Sequence, residues 1–105
     1  MDQRYGRLTR QELLREVTTL TERARKAEQK GMLSEFEVYE RKKTIAQSYL
    51  LDRKQYEPGK RYEIQGEDQG SLLISYMNGV FAWGYRDGET DLTAIPISLL
   101  KRHAT

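Results

Sequence analysis

Cysteine is absent and histidine occurs once, as His103. The first absence excludes a disulfide framework and a thiol nucleophile. The second removes the multi-histidine sites that commonly hold zinc. No stretch approaches the roughly 18 apolar residues needed to span a bilayer, and the opening MDQRYGRLTR lacks the apolar segment of a secretory leader. The expectation is a cytoplasmic protein that makes no use of a membrane. A surplus of one charge is missing too: eighteen Lys and Arg against sixteen Asp and Glu leave +2, which excludes the strongly basic character of a nucleic-acid coat. A chain of 105 residues suits one compact domain, or a small domain with a helical appendage, and is too short for two conventional domains.

What is present is unevenly distributed. Residues 1–56 contain no proline and carry thirteen basic against nine acidic side chains; residues 57–105 hold both prolines, six of the eight glycines, and five basic against seven acidic side chains. The change falls at Pro58-Gly59, a strong break between periodic elements. This predicts an α+β chain: a helical hairpin over 1–56 and a sheet of turns and short strands over 57–105. At this size the two halves are expected to share a core and fold as one unit.

The first helix has a complete entry signal. Thr9 as N-cap and Glu12 three residues on form a capping box, and Leu8 with Leu13 can close a hydrophobic staple. Leu13, Val17, Leu20, Ala24 and Ala27 then recur at helical spacing, and Gly31 is placed to end the helix. A second box is predicted at once, with Ser34 as N-cap, Glu37 as its partner and Leu33 and Val38 as staple. The short connection predicts an antiparallel pair. On the second helix Phe36, Val38, Tyr39, Ile45, Ala46, Tyr49 and Leu50 cover about half the circumference, more than one partner helix needs. Lys42 sits near the middle of that arc. It reads either as a stem lying along the helix seam with its ammonium reaching water, or as a cation held for an anion.

In the second half, Lys60 to Ile64, Ser71 to Met77, Val80 to Arg86 and Glu89 to Ile95 read as strands, with Asn78-Gly79 and Asp87-Gly88 as two-residue hairpin turns. That register sets Tyr76 opposite Phe81 and Trp83 opposite Leu92. One sheet face then collects Leu72, Ile74, Tyr76, Phe81, Trp83, Tyr85, Leu92 and Ala94; by bulk and lack of charge it is the expected core. The opposite face, with Leu73, Ser75, Met77, Val80, Ala82, Gly84, Asp91, Thr93 and Ile95, is expected to be the weaker one, covered by the second helix or another chain. Pro96 ends the fourth strand, residues 97–100 read as a single helical turn, and a last strand near Leu100 to Arg102 makes five. Five short strands can curl into an SH3-like small barrel, with Gly84 suited to strong curvature or to a close approach by the helical hairpin.

This order of elements, with KRYEIQG, LLISYMNGVFAWGYRDG and TAIPISLLKR following a capped helical hairpin, resembles the YfhH family of short Bacillus proteins. The resemblance covers essentially the whole chain, and residues 76–100 are its most distinctive part. It implies an SH3-like barrel preceded by two helices. It assigns no catalytic, cofactor or ligand residue.

The side-chain inventory argues against an enzyme. His103 lies at the end of the chain, where a base is hard to hold against a nucleophile, and neither a phosphate-binding glycine loop nor a dinucleotide fingerprint is present. Asp87, Glu89 and Asp91 lack the calcium-loop pattern and read as turn and solvated edge. No catalytic residue, metal or cofactor is expected. Two binding readings stand. Arg41, Lys42, Lys43, Arg53, Lys54, Lys60, Arg61, Lys101 and Arg102 can form a basic band at the junction of hairpin and barrel, with Tyr56, Tyr62 or Tyr85 as stacking surfaces for RNA or DNA. The preferred reading is a non-enzymatic protein-interaction or adaptor role, with a protein partner or a second copy meeting surplus apolar surface. Its candidate surface is drawn from Lys42, Arg53, Lys54, Tyr56, Lys60, Arg61, Tyr62 and Tyr85. Trp83 is read as core.

Overall fold

The computed structural model of the chain describes residues 3–66 and 70–101. Arg102, His103 and part of the polar loop after Gly66 lie outside them. The chain divides into two compact units, Met1–Leu50 and Leu51–Thr105.

The first unit is the antiparallel helical pair. A 3-10 turn, Gln3–Arg7, leads into α1, Arg10–Gln29. The predicted box is complete: Thr9 Oγ1 accepts from the Glu12 amide at 3.1 Å, and Glu12 Oε1 accepts from the Thr9 amide at 2.8 Å. Such a cap stabilises a helix by about 1 kcal/mol. Leu13, Leu20, Ala24 and Ala27 are buried and Val17 is half-buried, as the spacing predicts. The helix ends in a Schellman closure, with the Met32 amide donating to Ala27 O at 2.8 Å and the Gly31 amide to Glu28 O at 3.0 Å.

That closure moves the start of the next helix. α2 runs Leu33–Ser48 with Met32 as its N-cap and no side-chain cap, so the box expected at Ser34 and Glu37 does not form. Met32 is tied by its amide to the end of α1 while its carbonyl accepts from the Phe36 amide at 3.0 Å. The chain therefore enters α2 before Ser34, which falls inside the first turn. Only the C-terminal part of the expected apolar arc is fully buried, at Ile45 and Ala46; Val38 is 50% exposed. Lys42 is exposed, and its half-buried neighbour Lys43 pairs with Glu40 at 2.8 Å. Buried Ser48 is satisfied by donating to Thr44 O at 2.9 Å. Arg10 Nη1 donates to Leu50 O at 3.3 Å, tying the beginning of α1 to the end of the pair.

The second unit opens with a 3-10 turn, Arg53–Gln55, capped by Asp52. Five antiparallel strands follow: β1 Arg61–Ile64, β2 Ser71–Asn78, β3 Phe81–Arg86, β4 Thr93–Pro96 and β5 Leu100–Lys101, with the predicted single turn Ile97–Leu99 before the last. Their order is β4-β3-β2-β1-β5. Among the described residues the sheet is open, with β4 and β5 at its edges, and the closed barrel expected from the sequence is not formed. Among the described residues the last strand has only Leu100 and Lys101, and both are paired with β1.

Two register differences decide what faces the core. The β2–β3 turn is centred one residue later than predicted, on Gly79 and Val80, so that Asn78 faces Phe81 and Tyr76 faces Trp83. Gly79 has φ 60° at the first central position, where a type II' turn takes glycine. Between Ile74 and Tyr76 the register then shifts, leaving Ser75 as the extra residue of a β-bulge. A bulge exchanges the faces on either side of it. Leu72 and Ile74 therefore lie on the same side as Ala82 and Gly84, away from the aromatic side chains.

The core face draws on both expected faces: Leu72 and Ile74, expected in the core, share it with Ala82 and Ile95 from the face expected to be weaker and with Tyr62, Ile64 and Leu100, and all are buried. Gly84 belongs to this face. A Cβ there would stand 2.0 Å from Leu73 O and 3.0 Å from Ile74 Cα, so the close approach comes from the backbone of β2. The β3–β4 register is also shifted, with Trp83 opposite Ala94; the Arg86-to-Glu89 turn forms, but residues 89–92 remain outside β4.

Candidate functional site

The bulge and the alternation of β3 put Tyr76, Trp83 and Tyr85 on one face of the sheet, opposite the core. Tyr76 and Trp83 are direct cross-strand partners with ring centroids 6.0 Å apart and planes 2° from parallel. Tyr85 lies opposite Leu73, which lies opposite Arg61, so these three form a row across β3, β2 and β1. Tyr76 is 44% exposed, Tyr85 39%, and Trp83 is half-buried. Trp83 is thus not the core residue expected from the sequence.

The other tyrosines of the expected surface behave differently. Tyr56 is 6% exposed and Tyr62 4%, their ring centroids 5.6 Å apart and tilted by 43°. Tyr62 Oη accepts from the Glu57 amide at 3.0 Å and donates to Gln55 O at 3.3 Å. These rings pack the segment that leads into β1, and neither offers a face for a base to stack on.

Of the cations expected beside them, Arg53 and Lys54 are exposed on the 3-10 turn. Lys60 pairs with Glu57 at 2.6 Å, and that hydrogen bond, with the carboxylate's charge, raises the lysine above its ordinary pKa. Arg61 pairs with Asp87 and also donates to Ser71 Oγ at 3.3 Å, while Ser71 Oγ donates to the other oxygen of Asp87 at 2.8 Å. Asp87 is therefore engaged by a guanidinium and a hydroxyl. Lys42 is exposed on α2, in the other unit, and Lys101 is exposed on β5.

Among the described residues, no three metal-ligating side chains come together. A groove of about 300 Å³ runs along Leu8, Glu12, Arg15, Glu16 and Thr19. Glu12 is committed there to capping α1. No described helix is long and apolar enough to cross a membrane.

Tyr76 and Trp83 were absent from the surface expected from the sequence, and Tyr85 alone of its tyrosines is exposed. A period-of-two reading assigns the bulkiest face to the core. The signal against that assignment was Gly84, whose missing side chain marks the face where two backbones meet.

The family model described as "Protein of unknown function (DUF1811)" matches residues 3–101. A relative from Bacillus subtilis (strain 168), "Uncharacterized protein YfhH", is 46% identical over 102 residues, which are 96% of this chain and 97% of the relative.

Proposed function

The chain belongs to the DUF1811 family, and from that premise we propose that it is a small non-enzymatic protein-interaction protein whose contact surface is the aromatic face of its sheet. The observation that carries this reading is the parallel Tyr76–Trp83 pair, partly open to solvent and adjoined by Tyr85. Tyrosine and tryptophan are enriched where proteins meet because they bury a large rigid area and keep a polar tip for a hydrogen bond. A sheet that turns Leu72, Ile74 and Ala82 inward and Tyr76, Trp83 and Tyr85 outward leaves that area for a partner.

Two features favour this over the nucleic-acid alternative. Lys60 and Arg61 already face carboxylates, and Tyr56 and Tyr62 are buried. Residues 51–105 hold seven basic and eight acidic side chains, which weakens the summed attraction to a phosphate backbone. We also read the open sheet as a relative of SH3-like small barrels. Its support is the strand order, a four-strand meander followed, after a single 3-10 turn, by a fifth strand that pairs with β1. Fold likeness of this kind carries no function by itself.

The test is capture from native lysate with immobilised wild-type chain and with a Tyr76→Ser/Tyr85→Ser variant, each with and without nuclease. The expected result is a protein retained by the wild type regardless of nuclease and lost with the variant, whose circular-dichroism melt is unchanged. Equal capture by both chains, or capture abolished by nuclease, overturns the reading.

A further inference from the structure

We infer that the aromatic face receives an arginine-bearing segment of its protein partner, with a guanidinium seated on the ring faces of Trp83 and Tyr85. This deepens the proposed interaction role and rests on it. Aromatic ring faces carry partial negative charge, and a planar guanidinium can stack on them while keeping its hydrogen-bond donors free at its edge.

The surroundings of the rings supply the matching sign. Beyond Arg86, which pairs with Leu72 on the opposite face of the sheet, the turn and loop that follow β3 bring Asp87, Glu89 and Asp91, all exposed, and no lysine or arginine occurs between Asp87 and Leu100. This end of the sheet already binds one guanidinium. Arg61, in the same cross-strand row as Tyr85, is held by Asp87, with Ser71 completing the contact. Glu89 and Asp91, exposed in the segment that follows Asp87, add two carboxylates to complement a second, external guanidinium seated on the π-surface. The flat aromatic surface suits arginine's plane, which lysine's compact ammonium does not reproduce.

The experiment titrates the full-length chain with three short fluorescein-labelled peptides of one sequence, carrying arginine, lysine or citrulline at the same positions. Citrulline keeps the planar shape and removes the charge; lysine keeps the charge and removes the plane. The arginine peptide is expected to bind about tenfold more tightly than the citrulline peptide, the change expected of a partly desolvated cation–π contact, with lysine between them. Tyr85→Leu and Trp83→Leu, which keep apolar area, should each erase most of that preference. Glu89→Gln/Asp91→Asn should flatten its salt dependence and leave the melt unchanged.

Equal affinity for the three peptides, or binding of none, overturns the inference. If none binds while the Tyr76→Ser/Tyr85→Ser variant still loses a nuclease-resistant partner, the interaction reading stands and the partner's chemistry is wrong. Tighter binding of an oligothymidylate than of the arginine peptide, lost in Trp83→Leu, overturns both. Concentration-dependent sedimentation of the wild type that disappears in Trp83→Leu identifies a second copy as the occupant and overturns the arginine assignment alone.

Discussion

Tyr76 and Trp83 face each other across β2 and β3 with their rings 2° from parallel, and one residue before Tyr76 in β2 the pairing slips at Ser75. The slip turns the aromatic pair outward and the aliphatic residues inward. Without it, Leu72 and Ile74 would share the aromatic face, as simple alternation requires. A single inserted residue thus separates a conventional core from an exposed aromatic surface, and it is held where β3 offers Gly84 in place of a side chain.

Gly84→Ala should therefore destabilise the chain by about 2–3 kcal/mol, because the added methyl meets backbone that cannot move aside as a flexible side chain would. Gly6→Ala, whose Cβ would lie 3.4 Å from the Tyr49 ring, should cost well under about 1 kcal/mol. Urea melts of the two variants measure the difference. Comparable midpoints would mean that β2 does not press against Gly84.

The β2–β3 turn makes a second distinction. With Gly79 at φ 60° and Asn78 paired to Phe81 as a strand residue, Gly79→Val should cost about 1–3 kcal/mol while Asn78→Thr stays within about 0.5 kcal/mol. A turn centred on Asn78-Gly79 would reverse the second expectation, since a β-branched residue tolerates positive φ poorly. Thermal melts of both variants decide between the registers.

These two sites also mark how far the sequence is legible. The Thr9 and Glu12 box and the Gly31 stop lie within a few residues of the groups they satisfy, so local chemistry announces them. The strands were legible for the same reason, through alternation and turn residues. The start of α2 was not, because Met32 is committed to closing α1, a constraint outside the helix it begins. The bulge was not legible either: an inserted residue leaves the spacing of apolar residues on each side intact and changes only which sides agree. At the candidate surface, Tyr85 reads as a stacking residue, although simple alternation also sets it on the face expected to be the core. Tyr56 and Tyr62 looked equally available, yet the Tyr62 hydroxyl is matched to the backbone at Gln55 and Glu57, partners that become visible only once the segment is folded.

Tyr62→Phe tests that match. It removes the acceptor of the Glu57 amide and the donor to Gln55 O while keeping the ring, so stability should fall by about 1–2 kcal/mol. Faster hydrogen exchange at the Glu57 amide should accompany it. An unchanged exchange rate would show that the phenol does not hold this segment.

Lys60 provides a pH signature without a large energy. Its folded pKa is raised above the ordinary 10.5 by the hydrogen bond and charge of Glu57. A raised basic group contributes its stability fully below the unfolded pKa and loses it as pH rises through the folded one, so any effect is confined to strongly alkaline solution. By NMR, the Lys60 side chain should titrate at higher pH than in Glu57→Gln. Coincident titration curves would show that the exposed pair is not maintained in solution.

The nucleic-acid alternative is decided by salt. Binding that neutralises phosphates falls steeply with ionic strength, because each contact releases counterions. In the wild type, however, Lys60 and Arg61 already face Glu57 and Asp87, and their release would leave those carboxylates beside the phosphates. Single-strand binding should therefore be weak at low salt, absent near physiological salt, and little changed in Lys60→Gln/Arg61→Gln, as read by fluorescence anisotropy at two salt concentrations. Submicromolar binding near physiological salt, lost in the double variant with its melt retained, would mean that these cations exchange their carboxylates for phosphate, and the nucleic-acid reading would then displace the protein-interaction one.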